Sequence, residues 1–189
     1  MNNEKLTMPK ESLILLKKVL GKTLIKIRSL NEGENDSTYA SPFILDFDDG
    51  SSIAIYADET SIEYCGDIDE FGKIFCEGWN NNEKTYKYFY QRITPLKINN
   101  IEVVTEEVTE HNTKFGDNTL FLDVAVIFHS ENHFLTFSLA VDTYWTCWLD
   151  KTKDINIDTL RPFNEIKQHW YGSKIEDNII KVNRISKML

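Results

Sequence analysis

Hydrophobic residues recur along the chain with two different spacings, and the first spacing is that of a helix. Leu13, Leu16 and Leu20 recur at intervals of three and four residues, which places them on one face of a helix. Pro9 lies where the first helical turn would begin, and Gly21 follows the last apolar position. These signals predict an N-terminal helix that ends at the glycine.

A two-residue period follows and predicts strands. Polar and apolar side chains alternate over residues 23–29, as they do in a half-buried strand. Further along, the sequence Asp-Asp-Gly at 48–50 lies between the apolar runs 43–47 and 53–57. An Asp-Gly pair supplies the positive φ angles that a tight hairpin needs, so the two runs are predicted to form one.

A second hairpin is predicted where the apolar runs 120–128 and 134–141 flank a polar loop. Each predicted hairpin follows an isolated strand, at residues 24–27 in the first case and 101–104 in the second. This order indicates a degenerate internal repeat, and hence a pseudo-symmetric sheet or barrel. The alternative is coincidence, because any antiparallel sheet repeats strand and turn composition at this coarse level.

Three later segments have a less regular spacing of hydrophobic residues. Residues 86–93 fit both a strand and a helical face, and the alternating tyrosines favour the strand. A short helix is predicted from Asp158 or Thr159 to Gly172. The stretch 173–189 opens with a capping-box pattern and is predicted as a further helix, although its β-branched residues leave a strand as the alternative.

Together these elements predict an α+β fold. Its main part is a predominantly antiparallel β-sheet or partly closed barrel, with an N-terminal helix and one or two C-terminal helices. Hydrophobic residues make up 41% of the chain, which is enough for a packed core. No linker rich in Pro, Gly or Ser divides it, so residues 1–189 are interpreted as a single domain.

Cysteine content and hydropathy indicate a soluble, cytoplasmic protein. The three cysteines are an odd number without a C-x-x-C pair, which suits reduced thiols better than a disulfide scaffold. The first residues lack the features of a signal peptide, and no apolar run approaches the roughly 18 residues of a membrane span.

The charge of the chain is unevenly distributed. The net charge is −9, yet residues 1–30 carry seven Lys or Arg against two Glu, and residues 172–189 carry four against two. Residues 29–72 contain twelve Asp or Glu and no Lys or Arg. Because an unpaired buried carboxylate is costly, most of these acids are expected at the surface, where they form a negative patch.

No catalytic, metal-binding or cofactor motif is recognised. Asp46 opens a segment that resembles a calcium loop, but Ala57 stands at its twelfth position, where such a loop needs a carboxylate. His129 and His133 bracket a predicted turn without a third ligand, which favours surface histidines over a metal site. The cysteines lack the surroundings of a nucleophile. No catalytic residue, metal ligand or cofactor is therefore assigned, and a non-enzymatic protein is favoured.

The negative patch points to a basic protein as the partner. It repels the backbone of nucleic acids and anionic lipids, so neither is expected to bind, whereas it steers a cationic protein. The alternative is that the acids only keep the protein soluble or pair with its own basic termini. The predicted partner-binding residues are Asp46, Asp48, Asp49, Asp58, Glu59, Glu63, Asp67, Asp69 and Glu70.

The beginning of the chain resembles a class of small bacterial proteins. The resemblance is carried by the helix end Gly21-Lys22, the strand pattern Leu24-x-x-Ile27 and the hairpin Phe47-x-Asp49-Gly50-x-x-Ile53-x-Ile55. Over residues 1–65 this arrangement is similar to immunity proteins of polymorphic-toxin systems. The resemblance implies a cytosolic protein that neutralises a toxin by binding it, and it transfers no functional residues.

The sequence therefore predicts a non-enzymatic protein-binding domain, immunity-like, that engages a basic partner such as a toxin through its acidic patch. An alternative of a different class is a small-molecule-binding or enzymatic domain with a pocket between sheet and helix. A third interpretation is an accessory protein of a phage or mobile element, which the sequence does not separate from the first.

Overall fold

The computed structural model describes residues 2–30, 40–64, 67–80, 89–112, 116–131, 133–139, 147–150 and 179–189. These residues form eleven strands and one helix. In chain order they are β1 (Asn2–Leu6), α1 (Lys10–Lys18), β2 (Thr23–Leu30), β3 (Ala40–Phe47), β4 (Ser52–Tyr64), β5 (Asp67–Gly78), β6 (Phe89–Lys97), β7 (Asn100–Asn112), β8 (Gly116–His129), β9 (Phe134–Leu139), β10 (Cys147–Asp150) and β11 (Ile179–Met188).

The predicted N-terminal helix is confirmed as α1. Pro9 is its N-cap residue with φ of −56°, and the N–H of Leu13 donates to the Pro9 carbonyl at 3.1 Å. Gly21 lies beyond the last turn with φ of +78°, a left-handed conformation that glycine adopts at little cost. Leu16 on the apolar face is fully buried, so the helix packs as its period predicts.

The strands form two sheets with the same topology. The order in the first sheet is β5-β4-β3-β2-β6, and the order in the second is β10-β9-β8-β7-β11. Each sheet is an antiparallel meander of four consecutive strands, and a fifth strand then pairs with the first strand of that meander. β1 joins the second sheet parallel to β8. The two sheets share one strand order, as an internal repeat would give, but they are two sheets and not the one pseudo-symmetric sheet or barrel that was predicted from the repeat.

One hydrophobic core joins the two sheets. Phe43 of the first sheet lies with its ring centroid 5.3 Å from that of Phe137 in the second, and Phe128 meets the Phe137 ring edge-on at 5.6 Å. All three rings are fully buried. The contacts between the sheets are also reciprocal. β5 packs against β8, and β10, the counterpart of β5, packs against β3, the counterpart of β8. The two halves of the chain therefore complete one core between them.

Both predicted hairpins are confirmed. In the turn between β3 and β4, Gly50 has φ of +81° and the N–H of Phe47 donates to the Ser51 carbonyl at 2.9 Å. In the turn between β8 and β9, the N–H of Ser130 donates to the His133 carbonyl at 2.9 Å. The strand preferred at the ambiguous tyrosine-rich segment is also confirmed from Phe89 onward, and its earlier residues lie outside the described part of the chain.

The predicted α+β fold class is wrong. The structure is mostly β-sheet, with α1 as the single short helix among the described residues, and neither sheet closes into a barrel. The helix predicted from residue 158 to Gly172 lies outside the described residues. The sequence pattern overestimated the helix content chiefly at the end of the chain.

The final described segment is a strand where a helix was predicted. β11 pairs with β7 in antiparallel register over its ten residues. A buried ion pair strengthens this pairing, because Nε of Arg184 donates to the carboxylate of Glu106 at 2.8 Å. The β-branched residues of the segment fit a pleated sheet. Every second residue of β11 forms backbone hydrogen bonds with β7, in place of the internal hydrogen bonds of a helix.

Candidate protein-binding surface

A two-stranded arm projects from the first sheet. β4 pairs with β3 only over residues 52–55, whereas it pairs with β5 from Ile53 to Tyr64. Beyond residue 55, no third strand of that sheet among the described residues pairs with these two. We call residues 56–64 of β4 and 67–75 of β5 the acidic arm.

One face of the acidic arm packs against the second sheet. Phe71 is 4% exposed and clusters with Leu120 and Leu122 of β8 and with Leu6 of β1. Ile62 packs against the same cluster from the neighbouring strand. These apolar contacts hold the arm in place. On the opposite face, Ala57 and Ile74 at the base of the arm pack in the main core, whereas the residues nearer its tip are exposed and form its solvent face: Glu59, Ser61, Glu63, Ile68 and Glu70.

The solvent face of the acidic arm carries three glutamates in a row that ends at an exposed isoleucine. Side chains directly opposite each other in an antiparallel pair share a face, and the register places Glu63 opposite Ile68 and Ser61 opposite Glu70. Glu59 lies two residues before Ser61 on the same face. The three glutamates are exposed, and Ile68 is 78% exposed, the most of the exposed large apolar residues in the described part of the chain.

Two of these carboxylates lie close enough to interact with each other. A hydrogen bond with Glu70 raises the pKa of Glu59, and repulsion by the charges of Glu70 and Asp58 raises it further. No lysine or arginine among the described residues forms an ion pair with Glu59, Glu63 or Glu70. The solvent face therefore concentrates negative charge that the described chain does not neutralise.

Asp46 does not belong to this face. Its carboxylate accepts a hydrogen bond from the guanidinium of Arg28 at 2.6 Å and another from the hydroxyl of Ser52 at 2.7 Å. The Arg28 and Asp46 side chains are largely buried. This aspartate joins β2, β3 and β4, so it stabilises the first sheet from within.

Asp48 and Asp49 are also engaged by the protein itself. The carboxylate of Asp49 lies 2.7 Å from the Lys22 ammonium, and hydrogen bonds from Lys22 and Ser51 hold its pKa well below the usual range. Asp48 accepts a hydrogen bond from the Thr23 N–H at 3.0 Å, which lowers its pKa. Both residues therefore fix the turn between β3 and β4 to the start of β2.

The remaining predicted acids lie on the acidic arm. Asp58 is exposed and stands opposite Lys73, on the other face from Glu59. Asp67 and Asp69 occupy β5 positions opposite Tyr64 and Ile62. Their side chains lie outside the part of the chain that the structure describes. Of the nine predicted residues, Glu59, Glu63 and Glu70 are thus the ones that the structure brings together on one solvent face.

Sequence reasoning missed Ile68. Its flanks, Asp67 and Asp69, are charged, and an apolar residue between charges is ambiguous because either face of the strand could be the buried one. The register with Glu63 resolves that ambiguity, since it assigns Ile68 to the solvent face.

The residues considered for chemistry have structural roles. The Ser12 hydroxyl donates to the Cys76 carbonyl at 2.9 Å and accepts from the Cys76 N–H at 3.0 Å, which joins α1 to β5. Burial raises the pKa of the Cys76 thiol to about 12, so it stays protonated at neutral pH. Between this helix and the sheet, Leu16 and Val19 are almost completely buried, so this part of the contact is packed with side chains.

The two histidines of the second hairpin do not form a shared site. Nε2 of His129 lies 2.9 Å from the carboxylate of Glu102, while His133 is exposed. No group of three or more potential metal ligands occurs among the described residues. Cys65 and the side chain of Cys147 lie outside the described part of the chain.

No family model matches the chain, and neither a curated protein nor a solved structure matches it. The resemblance to immunity proteins therefore stays a prediction. Within the described residues, α1 falls short of the length and hydropathy needed to cross a membrane.

Proposed function

We propose that this protein is a non-enzymatic, cytoplasmic, immunity-like domain that binds a basic partner protein through the solvent face of the acidic arm. The observation that supports the proposal is that Glu59, Glu63 and Glu70 lie on one exposed face of the arm, with the exposed Ile68 at its end. The partner class is a cationic protein, for which a toxin is the specific expectation.

The composition of this face suits a protein interface. Interfaces commonly combine an apolar anchor that becomes fully desolvated with a charged rim that sets orientation and association rate. Ile68 is the anchor in this proposal, and the three glutamates are the rim. A lysine or arginine of the partner between Glu59 and Glu70 would relieve the repulsion between those two carboxylates.

The same charge disfavours other classes of partner. Nucleic acid binding depends on cations that neutralise phosphates, and peripheral binding to anionic membranes depends on cations near the lipid surface. The solvent face of the acidic arm presents carboxylates instead. A basic protein is therefore the class that its electrostatics favour.

Charge reversal on the arm tests the proposal. Tagged wild-type protein and the double variant Glu59→Lys/Glu63→Lys are used to capture partners from lysate of the native host. We expect the wild type to retain a basic protein, which is released near 1 M salt, where the Debye length is about 3 Å. The double variant is expected to lose it.

The matched control reverses two exposed glutamates away from the arm, as Glu11→Lys/Glu131→Lys, and changes the net charge by the same amount. Equal capture by the arm variant and this control would refute the proposal. If the captured protein is toxic when expressed alone, co-expression with the wild type should restore growth and co-expression with the arm variant should not.

A further inference from the structure

Within the acidic arm, β4 has an edge that no described strand covers. In the turn that joins β3 to β4, the N–H of Phe47 donates to the Ser51 carbonyl, and the pairing of the two strands continues only as far as Ile55. Because bonded positions alternate along an antiparallel ladder, the odd-numbered residues of β4 present their N–H and C=O groups to the β3 side. Beyond Ile55 these are residues 57, 59, 61 and 63, and none of the described strands pairs with them on that side.

The bonds to β5 agree with this assignment. The N–H of Trp79 donates to the Ser52 carbonyl at 3.0 Å, so the even-numbered residues of β4 present their backbone groups to β5. The odd-numbered residues of the arm therefore present theirs outward. A row of outward N–H and C=O groups is a template for another strand.

One of these outward groups is occupied by a side chain. The N–H of Glu59 donates to the carboxylate of Asp58 at 2.8 Å. A charged side chain at an exposed edge hinders the addition of an unwanted strand. The outward N–H and C=O groups of Ser61 and Glu63 bond to no group of the described chain.

The space beside this edge is accessible near the tip of the arm. Asp58 and Glu59 are both exposed although they lie on opposite faces of β4, so neither face is covered at that point. Ser61 and Glu63 are exposed as well. Ala57 packs against the main core, which limits an added strand at the base of the arm. The accessible part of the edge is therefore residues 59–63.

The edge of β5 is covered at a comparable position. The Ser12 hydroxyl of α1 donates to the Cys76 carbonyl and accepts from the Cys76 N–H, so the helix takes the place that an added strand would occupy. No helix among the described residues does the same along residues 59–63 of β4.

We infer that the basic partner adds an extended segment to the outer edge of β4 as an antiparallel strand. This inference rests on the proposed function and specifies how the partner is held. Main-chain hydrogen bonds to residues 59, 61 and 63 supply the affinity, and one partner carbonyl replaces the Asp58 carboxylate at the Glu59 N–H. Because directly opposed side chains share a face, the segment has Lys or Arg at its first and fifth positions, opposite Glu63 and Glu59.

A second copy of this chain is disfavoured as the added strand. Antiparallel pairing of two β4 edges about Ser61 would place Glu59 of each copy opposite Glu63 of the other. Like charges that face each other destabilise a sheet, whereas a basic segment makes attractive cross-strand pairs at the same positions.

A peptide of sequence Lys-Val-Thr-Thr-Lys-Thr with blocked ends is the probe, and NMR of the isotope-labelled full chain is the measurement. Its lysines are four residues apart, as are Glu59 and Glu63. We expect saturable shifts in the amide signals of residues 59–63. The control peptide has glutamate in place of both lysines and should bind at least about tenfold more weakly, because it replaces two attractive pairs with two repulsive ones.

N-methylation of the probe tests the strand addition itself. In the inferred register the N–H of the third peptide residue donates to the Ser61 carbonyl, whereas the N–H of the fourth points away from β4. We expect a methyl group on the third nitrogen to weaken binding about tenfold and one on the fourth to change it little. Both peptides carry the methyl group on a threonine, so their composition is identical.

The edge is tested on the protein side by Ser61→Pro, which removes an outward N–H and no bond to β5. In the capture experiment with host lysate, we expect this variant to lose the basic protein and the matched Ser61→Ala to keep it. Circular dichroism compares the folding of the two variants. If the proline variant does not fold, the two N-methylated peptides decide the question on the wild type.

Failure of this inference is distinguishable from failure of the proposed function. If Glu59→Lys/Glu63→Lys loses the basic protein while folded Ser61→Pro retains it, the face binds the partner without an added strand. The inference is also overturned by absence of probe binding up to about 1 mM, or by equal effects of the two N-methyl groups. A wild-type dimer in sedimentation that Ser61→Pro dissociates would overturn it too, since the edge would then belong to a second copy.

Discussion

Asp123 is a buried carboxylate that joins the N-terminal segment to the second sheet. Its oxygens accept hydrogen bonds from the Met8 N–H at 2.7 Å and from the Thr105 hydroxyl at 2.6 Å. Desolvation raises the pKa of Asp123, although both hydrogen bonds act to lower it. The residue is thus held by specific donors in an environment that penalises its charge.

Replacing this carboxylate should destabilise the protein. Asp123→Ala leaves the Met8 N–H and the Thr105 hydroxyl without their acceptor, so we expect the free energy of unfolding to fall by about 2–3 kcal/mol. Urea unfolding followed by circular dichroism measures the change. Glu131→Ala, at an exposed position, is the control and should change stability by less than about 0.5 kcal/mol. A loss of that small size for Asp123→Ala would contradict the assigned role.

The raised pKa of Asp123 has a consequence for pH dependence. Because the folded-state pKa lies above the unfolded value of 3.8, the contribution of Asp123 is fully present below that value. It is lost as the pH rises through the folded-state pKa. We therefore expect the stability of the wild type relative to the non-titrating Asp123→Asn to increase as the pH falls from about 7 to about 4. The unfolding free energies of both proteins, measured across that range, test this. A difference between them that stays constant or shrinks towards low pH would contradict the expected effect.

The hairpin between β3 and β4 depends on one left-handed residue. Gly50 has φ of +81°, and a Cβ there would meet no atom within 4 Å, so backbone strain alone opposes substitution. We expect Gly50→Ala to cost about 1–2 kcal/mol. Gly78→Ala is the matched control, since that position is equally open and does not have a left-handed φ. Thermal unfolding of both variants tests this, and equal losses would contradict it.

The attachment of the acidic arm depends on Phe71. Phe71→Ala removes a buried ring from the contact with β8, and we expect a loss of about 3 kcal/mol in unfolding free energy. Hydrogen exchange should also become faster in residues 56–75 than elsewhere, because the arm loses its anchor. Phe75→Ala, which removes a half-buried ring, should change both measurements less. Unchanged exchange in the arm after Phe71→Ala would show that other contacts hold it.

At the scale of the whole molecule, the shared core makes the two sheets interdependent. Phe43 and Phe137 come from different sheets, yet each is fully buried only because the other sheet covers it. We therefore expect fragments 1–98 and 99–189 to be unfolded when expressed separately and to regain structure when mixed. Chemical-shift dispersion in NMR spectra distinguishes the cases. A well-dispersed spectrum from either fragment alone would mean that its sheet folds without the other.

The candidate surface was predictable from the sequence only in part. The absence of Lys and Arg from residues 29–72 directs attention to the segment that contains most of the arm. Spacing along the chain does not show that Asp46 is bound by Arg28, because the two residues meet only through the pairing of β2 with β3. The same pairing information is needed to assign Ile68 to the solvent face of the arm.

The sequence by itself determined α1 and the two hairpins. Pro9, Gly21 and the turn at 48–50 act through φ preferences and side-chain periods that span a few residues, so their effect does not depend on distant parts of the chain. Only the tertiary structure decided that residues 179–188 form a strand and which acids have no ion pair with a described lysine or arginine. β11 obtains its hydrogen bonds from β7, and the ion pairs join residues on different strands, so both outcomes depend on contacts that local sequence does not encode.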